Sequence, residues 1–109
     1  MNKENWKKYY FNYQKTLANR YYIPLLGQLD ISIEGKKILD VGCGDGGFIS
    51  AFSELNSIST GLEIKDFNWE KDTNVNYIIG DIINNPDLIN NQVFDIIILR
   101  DVIEHINKK

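Results

Sequence analysis

A chain of 109 residues has room for one domain, and 43% hydrophobic with 12% aromatic residues supplies enough apolar surface for a packed core. A net charge of −3 argues against broad electrostatic capture by nucleic acid or an anionic membrane, although Lys3, Lys7, Lys8, Lys15 and Arg20 gather near the N-terminus. Cys43 is the single cysteine and has no intrachain disulfide partner, and no run approaches the ~18 apolar residues of a membrane span, so the expectation is a soluble cytoplasmic domain.

Residues 3 to about 18 place Trp6, Tyr9, Tyr10, Tyr13 and Leu17 at helical spacings of three and four. A second short helix is expected to include Tyr21 and Tyr22 and to resume after Pro24 through Leu25, Leu26 and Leu29, with the proline in a first turn. The tyrosines read either as core packing against the sheet or as a lid whose aromatic face closes over a ligand. A connector at 31–35 leads into a buried strand, Ile38 to Val41. A glycine turn, Gly42 to Gly47, follows it and opens a helix to about Leu55, with Phe48, Ile49, Phe52 and Leu55 on one face. Further strands are expected at 58–64, where Gly61 allows close backbone approach, at 76–79, and at 93–99, the last apolar enough to be buried on both faces. A polar loop spans 66–74, a single helical turn 86–89, and a helix begins at Arg100.

This alternation predicts an α/β fold: a Rossmann-like parallel sheet with flanking helices. Ligands of such sheets bind beyond the carboxyl ends of the strands, where the strand order reverses. Asp40 to Gly47, Glu63, Asp81, and Arg100 with Asp101 all follow apolar runs there, and are expected to converge on one crevice. Four glycines in six positions let the turn approach a ligand closely, with free N–H groups at the helix start facing it. Gly42, Gly44 and Gly47 satisfy the dinucleotide pattern G-x-G-x-x-G, with Glu63 near the ribose position. Asp40, two residues earlier, would repel a pyrophosphate and attract an ammonium or sulfonium ligand, and Asp81 suits an exocyclic amine of adenine.

The segments Ile38-Leu-Asp-Val-Gly-Cys-Gly-Asp-Gly, Gly61-Leu-Glu-Ile, Ile79-Gly-Asp-Ile and Phe94-Asp-Ile-Ile-Ile-Leu, followed by Val102-Ile-Glu-His-Ile, resemble in order the class I S-adenosylmethionine-dependent methyltransferases. The likeness is to the small-molecule group that includes the ubiquinone and menaquinone biosynthesis enzymes. It implies S-adenosyl-L-methionine as cofactor, S-adenosyl-L-homocysteine as product and a small-molecule methyl acceptor, with no nucleic acid partner. It implies that Asp40 and the Gly42, Cys43, Gly44 and Gly46 backbone hold the methionine end, that Glu63 with Ile64 takes the ribose, and that Asp81 with Ile82 receives the adenine. Arg100 is expected near the cofactor, and Arg20 is a further candidate for its carboxylate.

Methyl transfer is an in-line displacement at a sulfonium carbon, so orientation carries much of the catalysis, and a general base is needed only for an acceptor that loses a proton. Candidates are His105 and Asp101, with Glu104 beside them; no metal site is expected. Asp40 reads alternatively as a turn-stabilising acid, Asp81 as an N-cap, and His105 as a structural helix residue. The family's sheet has seven strands with the fourth central. The resemblance therefore implies a fold truncated after its fourth strand: residues 1–30 as a helical lid segment and 31–109 as an incomplete cofactor-binding domain. A bare fourth-strand edge predicts self-association. Competing readings are a non-catalytic cofactor-binding fragment, an aminopropyltransferase and an NAD-dependent oxidoreductase.

Overall fold

A computed structural model describes residues 3–64, 72–89 and 92–100. Helix α1 spans Lys3–Leu17 and runs through a π-helical stretch, Ala18–Tyr22, into α2, Ile23–Gln28, with Pro24 in the first turn of α2. The two expected helices are therefore one continuous helical path. Pro24 lacks an N–H, and the wider π turn ahead of it is one of the devices that absorbs such a defect. Strands β1 (Lys37–Val41), β2 (Ile58–Glu63), β3 (Asn76–Ile79) and β4 (Ile96–Leu99) form a parallel sheet of order β3-β2-β1-β4, with α3 (Gly47–Ser53) after β1 and a 3₁₀ turn, Pro86–Ile89, before β4. This is the predicted Rossmann-like α/β architecture.

The strand order fixes where a ligand can sit. From β1 the chain steps outward through β2 to β3, then returns to the other side of β1 as β4. The crevice beyond β1 and β4 is thus the switch point of the sheet. In register, Val41 lies beside Leu62 and Leu99, and Glu63 beside Ile79, so the strands end level with one another.

The core lies between the sheet and the helices. Phe48, Ile49, Ala51 and Phe52 of α3 pack with Ile38, Ala18, Ile33 and Val75, and Ile96 and Ile98 lean on the same cluster. Each fully buried phenylalanine contributes on the order of 2–3 kcal/mol of apolar transfer. Leu55 is not part of that face: α3 ends at Ser53, and Leu55 is 43% exposed in the turn beyond. Nor is β4 buried on both faces. Ile96 and Ile98 are half-buried while Ile97 and Leu99 are exposed, because alternate side chains of a strand point to opposite faces and the core cluster covers one. Val93 lies outside the strand and is 76% exposed. Asp95 aligns β4 instead, its N–H donating to the Lys37 carbonyl at 2.8 Å and its carboxylate accepting the Lys37 N–H at 2.8 Å. Among the described residues β4 pairs with β1 alone.

The tyrosines do not form the core. Helix α1 meets α3 through Phe11 and Gln14: a Cβ on Gly47 would come within 2.2 Å of the Phe11 carbonyl oxygen and 3.1 Å of Gln14 Cβ. Trp6, Tyr9 and Tyr13 stack along the outer side of α1 with centroids 5.9 and 6.3 Å apart, and all three are about half exposed. Tyr22 is the exception in part, standing edge-on to Phe48 at 4.9 Å.

Candidate functional site

The glycine turn is a folded object before any ligand arrives. Gly42, Gly44 and Gly46 take φ of 76°, 60° and 91°, a left-handed conformation that side chains resist. Two of its positions are closed by packing. A Cβ on Gly46 would lie 2.0 Å from the Tyr77 hydroxyl, which donates to the Asp45 carbonyl at 3.2 Å and pins the turn to β3. The Cys43 side chain points into the sheet against Gly61, where an added Cβ would meet its Sγ at 2.7 Å. Burial pushes the Cys43 thiol pKa up, and the charges of Asp40 and Glu63 add to the effect. Cys43 thus offers the turn its backbone alone. Gly44 differs from its neighbours, because a Cβ there would meet nothing within 4 Å. The turn is open at that point.

The N–H groups of the turn are not free, contrary to the expectation from sequence. Gly42 and Cys43 donate to the Leu62 carbonyl at 2.7 and 3.0 Å, and Gly46 donates to the Cys43 carbonyl at 3.0 Å. Gly44 donates to Glu63 Oε1 at 2.8 Å and Gly47 to Asp45 Oδ1 at 3.2 Å. A phosphate needs converging donors, and these five are committed within the protein.

Acceptors are what the site leaves open. Asp40 is fully buried, and both its carboxylate oxygens lack a hydrogen-bond partner among the described residues, as does Oδ2 of the buried Asp45. Desolvation raises the Asp40 pKa to about 7; Arg100 pulls it down and Glu63 pushes it further up. Burial likewise raises Asp45 to about 6, against the pull of the Gly47 N–H. Such groups cost free energy unless a donor or cation meets them.

Arg100 follows β4 and stands across the switch point from Asp40. Its Nη2 lies 3.8 Å from Asp40 Oδ2, its guanidinium carbon 3.6 Å from the Phe48 ring centroid, and its Nη1 donates to Gln14 Oε1 at 2.9 Å. Glu63 ends β2, and Gly80 donates to its carbonyl at 2.8 Å, which brings Asp81 alongside. Asp81 accepts from the Ile83 N–H at 3.0 Å and the Asn84 amide at 2.6 Å, both contacts within the turn after β3. Along the strand ends the order in space is Asp81, Glu63, Asp40 with the turn, then Arg100. Asp101, Glu104 and His105, and the helix expected around them, lie outside the described residues. Asp45, Gln14 and Phe48 are the site residues that sequence reasoning missed. Asp45 had a signal in its place inside the turn; Gln14 had none.

A recess of about 460 Å³ lined by Lys8, Phe11, Ser50, Glu54, Asp72 and Asn74 lies between α1, α3 and the approach to β3. It contains none of the strand-end residues and is separate from the crevice.

A parallel sheet, a glycine turn after its first strand and an acid at the end of each of the next two define a Rossmann-like α/β domain. Comparison with known proteins narrows the class. A family described as "Methyltransferase domain" matches residues 12–109, and the chain belongs to that family. Curated relatives include the ubiquinone biosynthesis O-methyltransferase of Haemophilus ducreyi, 28% identical over 107 residues, covering 88% of this chain and 40% of the relative. The enzyme of the same name from Coxiella burnetii (strain RSA 493 / Nine Mile phase I) is 34% identical over 85 residues, covering 70% of this chain and 35% of the relative. The chain thus spans well under half the length of these relatives. No helix among the described residues is long and apolar enough to cross a membrane.

Proposed function

We propose that the chain carries the cofactor-binding half of an S-adenosylmethionine-dependent methyltransferase acting on a small molecule. The observation that carries this reading is the polarity of the site. Among the described residues both carboxylate oxygens of Asp40 and Oδ2 of Asp45 are buried without a donor, while the Gly42, Cys43, Gly44, Gly46 and Gly47 N–H groups are spent internally. A ligand bearing ammonium and sulfonium charge satisfies that pattern; a dinucleotide pyrophosphate does not. The open space at Gly44 accommodates close approach of the ligand to the backbone.

The residues present fit the cofactor. Asp40 and the Gly42–Gly46 backbone face its methionine end, Glu63 accepts from the ribose hydroxyls, and Asp81 with Ile82 takes the adenine edge. When bound, the cofactor supplies an electrophilic methyl group on sulfur. The chain's contribution is to bind, orient and exclude water, which suits a displacement governed by alignment. That the relatives are O-methyltransferases favours a hydroxyl oxygen as acceptor, with Asp101 or His105 taking the proton where one must leave. Residues 1–30 serve as the cover of the site.

The test is incubation of the protein with S-adenosylmethionine labelled in its methyl group and a panel of phenols and catechols. Label in a methyl ether is the expected result. Cofactor binding without transfer to any acceptor would favour the second reading, a non-catalytic cofactor-binding fragment.

A further inference from the structure

Three contacts hold the Arg100 guanidinium at the switch point, and none is a hydrogen bond to Asp40. The Gln14 amide oxygen accepts from Nη1 at 2.9 Å, the Phe48 ring lies under the guanidinium at 3.6 Å, and Asp40 Oδ2 stands 3.8 Å from Nη2. Buried Arg–carboxylate pairs gain most by closing into a bidentate fork. This pair is held apart. Two acceptors on Asp40 and one donor, Arg100 Nε, are left without partners among the described residues, all of them buried. An ammonium and a carboxylate carried on one carbon present the complementary set: donors for Asp40 and an acceptor for Arg100.

We propose that Gln14 is a positioning residue that, by holding Arg100 beside Asp40 without letting the pair close, builds a receptor for the zwitterionic amino-acid end of the ligand. The inference rests on the cofactor reading above and extends it to α1. Gln14 lies 86 positions before Arg100, and its backbone is fixed by the close packing of α1 on Gly47. The docking of α1 and the binding of the amino-acid end are therefore one event. The N-terminal helix acts on the site through a side-chain amide rather than through its exposed tyrosines.

The experiment is calorimetry on the full chain with two probes, S-adenosylhomocysteine and 5′-methylthioadenosine, which keeps the adenosyl thioether but lacks the amino-acid end. Gln14→Ala and Arg100→Met are expected to weaken S-adenosylhomocysteine about 10- to 100-fold, the range of one charge-assisted hydrogen bond in a buried site, and to leave methylthioadenosine within about twofold. Arg100→Lys, which keeps the charge without the planar fork, is expected to recover part of the loss. Equal weakening of both probes, or no change in either, overturns the proposal and leaves Gln14 a helix-docking contact. Arg100→Met removes a buried side chain and folding can fail there; Gln14→Ala, on a half-buried helix position, then decides the matter. Failure of the wild-type chain to bind either probe overturns the cofactor reading and this inference together. Binding with normal discrimination in every variant overturns this inference alone.

Discussion

Replacing Asp40 by asparagine removes the negative charge that the ligand is proposed to seek and leaves the side chain's shape. In the free protein that charge is a liability, because desolvation raises the carboxyl from 3.8 to about 7. The sign follows from proton binding. Between these values the unfolded chain has lost the proton and the folded chain keeps it, so stability falls as pH rises through the interval and levels off above about 7. A shift of roughly three units at about 1.4 kcal/mol each amounts to about 4 kcal/mol in full, of which about 3 kcal/mol develops between about pH 5 and pH 8. Asparagine has no such dependence. Urea unfolding of both proteins at the two pH values should show the variant gaining on wild type by about that amount at the higher pH. Asp45 titrates alike in both proteins and drops out of the difference. The same variant should bind S-adenosylhomocysteine at least about tenfold more weakly. A stability difference that is flat with pH, or that shrinks, would mean that Arg100 already satisfies Asp40, and the argument for an unmet acceptor would fail.

The remaining expectations concern the turn and its neighbours. Gly61→Ala forces a Cβ to 2.7 Å from Cys43 Sγ and should cost on the order of 2 kcal/mol; Cys43→Ala in the same chain should recover at least about 1 kcal/mol, read as the coupling in a double-mutant thermal-unfolding cycle. The buried, pKa-raised Cys43 thiol should resist alkylation by iodoacetamide in the folded protein and react on unfolding; rapid labelling of the native chain would contradict its placement against Gly61. Glu63→Gln should weaken S-adenosylhomocysteine about 10- to 100-fold in calorimetry, since the amide keeps one acceptor for the Gly44 N–H but loses the one that Oε2 offers the Ile64 N–H at 2.8 Å and the charge that strengthens ribose hydrogen bonds.

The fold was legible in the sequence because its signals are local. Largely apolar runs ending at Gly or a charged residue mark each parallel strand, and Gly42 to Gly47 marks the turn between β1 and α3. The candidate site was legible only as the placement of Asp40, Glu63, Asp81 and Arg100 at or beside strand ends. What escaped depends on partners distant in the chain. The turn's N–H groups looked free because nothing local shows that the Leu62 carbonyl and Glu63 carboxylate, some twenty residues on, would take them. The tyrosines of α1 follow a helical period that fits a buried face, yet the helix docks instead through Phe11 and Gln14. Strand β4 read as doubly buried because Ile96 to Leu99 is uniformly apolar, and composition does not say which face the core cluster covers.

The central claim is that this site takes an adenosyl ligand bearing an ammonium group and not a dinucleotide. Titration of the protein with S-adenosylhomocysteine and, separately, with NAD tests it most directly. Saturable binding of S-adenosylhomocysteine, weakening about tenfold per pH unit as Asp40 is protonated below about pH 7, with no binding of NAD, is the predicted result. Saturable binding of NAD with none of S-adenosylhomocysteine would contradict the account.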